Sequence, residues 1–356
     1  MLLDATLCHQ RREISTSLYQ STIRLLERWQ HEAGERPIDF QAAFLLSWLA
    51  ADFFNYDLSW DCFRRACSIG RQLGIFTVDA EHMEGSDAPG DYSSTSTDCT
   101  LTKSQKRYAF WQLLQTDCLF RQLFGKSPVI PFGSWCVRFP DLPLHPDGVT
   151  PESTLQVYFI VSMRFAFITL RFLEFLDTHG HASEDQVTEL VLELKSVVAE
   201  WDLERSFRAA VNPTDTYLYA DLLFSSHLLI ISFEQSTKTS YPLQQIPESS
   251  LYAARQSINI LEHWSKLPTG NPYHTISLVS SYPVIHIFIL QSNILSNPDT
   301  ATAEADLALT LCFGTMLRKW SEERNQVGAH LAFVVNVLNE VCRRVVCVKS
   351  LSTTRQ

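Results

Sequence analysis

The stretch Lys106–Ile130, KRYAFWQLLQTDCLFRQLFGKSPVI, decides the fold class. Counted from Phe110, the positions three, four, seven, ten, eleven and fourteen further on are Leu113, Leu114, Asp117, Phe120, Arg121 and Phe124. That is helical periodicity with a carboxylate set into the apolar seam. Two readings of Asp117 follow. In one, it pairs along the helix with Arg121, four residues on, in the favourable orientation. In the other, it is buried and accepts hydrogen bonds from backbone amides of an adjacent turn, because an unpaired charge there is too costly. The turn that starts at Gly125 is the nearest source of such amides, with Arg107 completing the network. Either role is architectural, not catalytic.

Helical patterning extends outward from this segment. Leu18, Thr22, Leu25 and Trp29 make one stripe, closed by Gly34 and Pro37. Asp39 reads as the N-cap of FQAAFLLSWLAADFF, apolar enough to be buried on nearly all sides. The next helix is expected from near Ser59 to Gly74, where a left-handed residue satisfies the last carbonyls and lets Ile75 fold back. Residues 85–104, GSDAPGDYSSTSTDCTLTKS, read as a mobile loop. Residues 127–151 are Pro-rich yet carry Trp135 and Phe139, so an ordered, packed loop is expected there.

Downstream, the patterns predict helices over 152–176, 183–208, 214–234, 248–267, 275–295, 300–323 and 326–348. Ser183-Glu184-Asp185-Gln186 is a capping box, and Pro283 should kink or break its helix. No stretch alternates in the strand manner and no repeat of fixed period is evident. The fold class expected is all-α, one irregular multi-helix domain over 1–356 with further helices across 152–350.

Composition excludes several classes. The chain has 356 residues, 46% hydrophobic and 12% aromatic, enough for one large core or two fused ones. Lys plus Arg number 29 against 39 Asp plus Glu, a formal net charge of −10 with no Lys/Arg-rich run. Such a chain has little to offer a phosphate backbone, so direct DNA binding is not expected. The nine cysteines are scattered, with Cys62 and Cys67, and Cys342 and Cys347, five apart and no C-x-x-C. They read as buried, reduced thiols of an intracellular protein. The start, MLLDATLCHQRR, has an acid at Asp4 and no apolar core of signal-peptide length. Uncharged apolar runs such as Val284–Leu290 fall far short of the roughly 20 residues of a membrane span. A soluble chain with no membrane partner is expected.

The residues also lack the constellations that most chemistry needs. Neither G-x-x-x-x-G-K-[ST] nor G-x-G-x-x-G occurs, and GKSP at Gly125 lacks the upstream glycine and strand. No G-x-S-x-G elbow is present, and no two aspartates adjoin to hold magnesium against a diphosphate. His179 and His181, flanked by Asp177 and Glu184, have the spacing of an exposed turn. His227, His263, His274, His286 and His330 sit singly and read as core or surface histidines. Trp48, Trp60, Trp111, Trp135, Trp201, Trp264 and Trp320 read as core. No catalytic residue, metal or cofactor is expected.

Several elements, in order, resemble a known family. ACSIGRQLGIF (Ala66–Phe76), a variable polar insert, the Lys106–Ile130 stretch and FPDLPL (Phe139–Leu144) are similar to the middle homology region of fungal zinc-cluster transcription factors. The matching positions are the Leu73-Gly74 helix end, the basic Arg107 before the aromatic pair Phe110-Trp111, then Asp117, the Gly125…Pro128 turn and Pro143 in the extended Leu-Pro segment. The resemblance covers about residues 40–144. It implies an all-α regulatory domain and pathway-specific control of transcription in the nucleus, often of catabolic or secondary-metabolite genes. It implies as partners a DNA-bound transcription factor or a homo- or heterodimer, with a small-molecule effector as a second class. Two features depart from the family. The Gly-Arg-Pro turn is here Gly125-Lys126-Ser127-Pro128, one residue longer, so the family arginine's contacts are not carried to Lys126. The six-cysteine two-zinc module that normally precedes this region is not found, so DNA contact is expected from a partner or from an N-terminal segment. The alternative reading is an all-α metabolite-binding protein or biosynthetic-pathway enzyme on the same helical scaffold.

Overall fold

A computed structural model describes residues 17, 19–26, 28–29, 34, 36–80, 101–142, 153–236, 246–266, 279, 284–323 and 328–353. Among the described residues there are helices and connecting turns and no strand, as the periodicity requires. After helical backbone at 19–26 come α1 (Pro37–Asp52), α2 (Tyr56–Gln72), α3 (Lys103–Phe124), α4 (Thr154–His179), α5 (Glu184–Glu200) and α6 (Leu203–Ala209). The remainder are α7 (Pro213–Ser236), α8 (Glu248–Lys266), α9 (Ile285–Ser296), α10 (Ala303–Glu323) and α11 (Ala329–Thr353). The sequence reads as one domain; packing gathers the chain into two compact units. One comprises Tyr19–Ala51 and Asn55–Gln156, the other Met1–Leu18, Asp52–Phe54 and Val157–Gln356.

Local chemistry sets the helix ends of the first unit. Asp39 is not the N-cap of α1: the helix starts at Pro37, whose fixed φ suits a first helical position, and Asp39 falls in the first turn. Its buried carboxylate instead accepts from Arg36 Nε at 2.8 Å and Trp29 Nε1 at 3.3 Å. Helix α2 starts three residues before Ser59, because the Asn55 side chain accepts the Leu58 amide at 3.3 Å. It closes as expected at Gly74, which sits at φ 67°. The Ile75 amide reaches the Gly70 carbonyl at 2.9 Å and the Gly74 amide reaches that of Arg71 at 3.0 Å, a Schellman closure.

Helix α3 opens on a capping box, with the Thr102 hydroxyl accepting from the Gln105 amide at 3.2 Å and the Gln105 side chain accepting from the Thr102 amide at 2.9 Å. Lys103 and Ser104, expected in the polar loop, are therefore helical, and 85–100 of that loop lie outside the described residues. Phe63, Ile69, Phe110, Leu113, Leu114 and Ile130 form the centre of this unit's core. Gly70 allows the close approach: a Cβ there would stand 3.3 Å from the Phe76 ring and 3.6 Å from Phe40.

In the second unit, the Ser183 capping box forms, with the Ser183 hydroxyl accepting at 3.3 Å and the Gln186 side chain at 2.9 Å. The single helix expected over 183–208 is broken at Trp201 and Asp202, where Asp202 adopts φ 45°. Pro283 lies outside the described residues. Helix α7 is long and apolar enough to cross a membrane by length and composition, yet 72% of that window is buried. It packs against α5, α6 and α8, which explains an apolar surface all round as that of a core helix. Amide side chains join α9, α10 and α11. Gln291 Nε2 donates to Asn339 Oδ1 at 2.8 Å, and Asn339 Nδ2 donates to the Thr310 carbonyl at 2.7 Å.

Candidate functional site

The residues that carry the family resemblance converge in the first unit. Leu73 and Gly74 end α2. Phe110, fully buried on α3, packs on Phe76 at 5.5 Å and Trp135 at 5.6 Å. Trp111 donates from Nε1 to the Arg138 carbonyl at 3.0 Å and packs on Phe139 at 5.4 Å, so the Pro-rich segment is ordered and packed as far as residue 142. Gly125 ends α3 in the left-handed region, φ 58°, its amide on the Arg121 carbonyl at 3.1 Å. Pro128 is exposed in the turn that follows, and Pro143 lies outside the described residues.

Asp117 takes the second of its two expected roles. It is 1% exposed and accepts the Val129 amide at 2.9 Å, so the carboxylate in the seam of α3 holds the Gly125 turn against the helix. Burial pushes its carboxyl up to about 6, against the opposing pull of the Val129 amide, Arg121 and Arg71. Its charge also faces the buried Cys67 and Cys118 thiols, both pushed up chiefly by burial.

Arg107 does not complete that network. It donates to Asp79, from Nε at 3.1 Å and Nη2 at 2.7 Å, and reaches the exposed Asp141 at 3.4 Å. The reason is tertiary. The turn at 76–80 and the non-helical segment at 134–141 meet beside α3: the Asp79 amide bonds the Cys136 carbonyl at 3.1 Å and the Cys136 amide the Phe76 carbonyl at 2.8 Å. This places Asp79 over Arg107, where it also accepts the Arg138 amide at 2.7 Å. Arg107 holds the Asp79 carboxyl well below the usual range despite its burial.

Between α2 and the turn held by Asp117 lies a cleft of about 890 Å³. Arg64, Arg65 and Arg71 line its helix side, Lys126 and Pro128 its turn side, and Trp60 one end. Arg71 is anchored by a hydrogen bond from Nη2 to the Val129 carbonyl, with its guanidinium 4.8 Å from the Phe76 ring centre. Trp60 is set by Phe120 at 5.1 Å and Phe63 at 5.8 Å, so it is a wall of the cleft as well as part of the core. Lys126 lies 3.5 Å from Asp57. The helix side has a sequence signal in Arg64, Ser68 and Arg71, spaced i, i+4, i+7; Asp79 has none, since its partners are distant in the chain.

Elsewhere the side chains offer less chemistry. Among the described residues no group of three or more His, Cys, Asp or Glu is arranged to hold a metal. The His179–His181 turn is exposed around Gly180 at φ 74°. His227 is buried beside Ser257, 3.2 Å from Nδ1 to the hydroxyl, but that hydroxyl also lies 2.9 Å from the Ala253 carbonyl and is wholly buried. Among the described residues seven cysteines are free thiols; Cys62, Cys67, Cys118 and Cys342 are buried, whereas, against expectation, Cys136 and Cys312 are half-buried and Cys347, on the outer face of α11, is exposed.

No protein-family profile, no curated protein and no solved structure matches the chain.

Proposed function

We propose that the chain is a transcriptional regulator of the fungal pathway-specific type, acting in the nucleus through this helical regulatory region. DNA contact comes from a DNA-bound partner or an N-terminal segment, and the regulated genes are catabolic or secondary-metabolite genes. What supports the reading is that the separated sequence elements of the resemblance, from Ala66 to Leu142, pack into one compact unit. Within it, Asp117 accepts the amide of Val129 just beyond the Gly125…Pro128 turn. The test is to fuse the full chain to an unrelated DNA-binding domain and read a reporter carrying that domain's site. A change in reporter output that is lost in Asp117→Ala supports the proposal; unchanged output from an expressed, nuclear fusion overturns it.

The alternative, an all-α metabolite-binding protein or biosynthetic-pathway enzyme, draws support from the basic cleft. It is separated by assaying the purified chain against candidate metabolites, where turnover would favour the enzyme and a melting shift without turnover a binding protein.

A further inference from the structure

We propose that the cleft between α2 and the Gly125–Val129 turn binds a small organic anion, a phosphate or carboxylate attached to a flat apolar body. The inference is independent of any role in transcription.

The charge of the cleft runs against that of the chain. In a protein of net charge −10, four cations, Arg64, Arg65, Arg71 and Lys126, line one concavity. On the open side Asp61 also lines the cleft and Asp57 stands beside Lys126, while buried Asp117 attracts Arg71 from behind. Neither of the two exposed acids is a firm partner. Arg64 and Asp61 stand 3.9 Å apart with side chains 62% and 61% exposed, and Asp57 is 96% exposed. Solvated pairs of this kind contribute little, so an incoming oxyanion displaces them at small cost.

Geometry favours a compact ligand with two ends. The guanidinium of Arg71 is held by a neutral carbonyl and an aromatic ring, so part of the ordering cost is met before binding. Guanidinium groups match the planar, two-oxygen edge of phosphate or carboxylate. The indole of Trp60 supplies an apolar surface at the other end. A volume of about 890 Å³ lies within the range of sites for drug-sized molecules. Buried Asp117 stands behind the cleft and fixes its turn wall through Val129.

The test is calorimetry on the full chain with inorganic phosphate, pyrophosphate and phenyl phosphate, each at matched ionic strength in chloride. Saturable one-site binding is expected, with phenyl phosphate tighter than inorganic phosphate. The double variant Arg64→Gln/Lys126→Gln should melt as the parent does and bind at least roughly tenfold more weakly, the loss expected on removing charge-assisted hydrogen bonds. The control Arg205→Gln/Arg208→Gln, at two exposed cations of α6, should bind like the parent. Absence of saturable binding by all three probes overturns the proposal, as does equal binding by the cleft variant and the control. Saturable binding of a polyglutamate peptide alone would assign the cleft to a protein segment and overturn it too.

Discussion

Arg107 and Asp79, 28 residues apart, meet in a two-pronged ion pair at 3.1 and 2.7 Å, the arginine side chain 12% exposed and the aspartate 1%. The pair does more than join two charges. Asp79 also accepts the Arg138 amide, and the Trp111 indole donates to the Arg138 carbonyl, so α3, the turn at 76–80 and the segment at 134–141 share one polar junction. Removing Arg107 leaves the buried Asp79 carboxylate with half-exposed Lys103, 3.4 Å away, as its counter-charge, a larger loss than the pair's net contribution.

Arg107→Ala should therefore destabilise the first unit by about 2–3 kcal/mol, below the full cost of a stranded charge because Lys103 stays in place, read by denaturant unfolding. Arg107→Ala combined with Asp79→Asn should recover part of that loss, because the stranded charge is gone. The carboxyl of Asp79 is depressed in the folded chain. Its contribution is thus present above the unfolded value near 3.8 and is lost as pH falls below it.

Asp117 should act in the opposite sense. Its folded carboxyl is raised to about 6 from 3.8, so between these values the folded state holds a proton that the unfolded chain has released. Stability of the first unit should fall as pH rises from about 4 to about 6, by on the order of 3 kcal/mol if this group acts alone. Asp117→Asn keeps an oxygen for the Val129 amide and removes the charge. It should flatten this slope and leave the unit at least as stable at pH 7, as measured by hydrogen exchange in peptides spanning α3.

The second unit should tilt the other way over the same range. Burial lowers His227 to about 4 and His286 to about 3, the charge of His227 further disfavouring that of His286, and His286 Nε2 is buried without a hydrogen-bond partner. An unfolded histidine takes its proton near 6.5, so stability present above that value should be lost as pH falls toward 4. His286→Phe should reduce the slope. Hydrogen exchange at pH 5 and pH 7, resolved by peptide, should show α8 and α9 less protected at the lower pH and α3 more protected.

Gly314, in the middle of α10, should tolerate no side chain. A Cβ there would lie 2.7 Å from Asn339 Nδ2 and 2.8 Å from Asn336 Oδ1. The first of these amides bonds the Thr310 carbonyl, and Asn336 Nδ2 donates to the Gly314 carbonyl at 3.2 Å. Gly314→Ala should lower stability by about 1–3 kcal/mol, in spite of alanine's better helix propensity, because a buried amide loses a partner. A rise in melting temperature would refute this account of the α10–α11 contact.

The all-α class, both capping boxes at Thr102 and Ser183, and the glycine closures at Gly74 and Gly125 rest on residues within a few positions of each other. Of these only the Thr102 box was missed, masked by the polar run before it. Asp117 was legible too, as a carboxylate in an apolar seam with a turn close behind. Tertiary structure decided what depends on distant segments. Arg107 belongs to Asp79 because residues 76–80 and 134–141 are brought together beside α3, and neither segment carries a periodic signal. The start of α1 and the break at Asp202 likewise went to local backbone geometry that composition does not report. The basic cleft needed both levels: spacing places Arg64 and Arg71 on one face of α2, but only the turn anchored by Asp117 carries Lys126 across to meet them. Short-range hydrogen bonds are encoded where they form, whereas a charge buried in a fold takes whichever partner the packed backbone delivers to it.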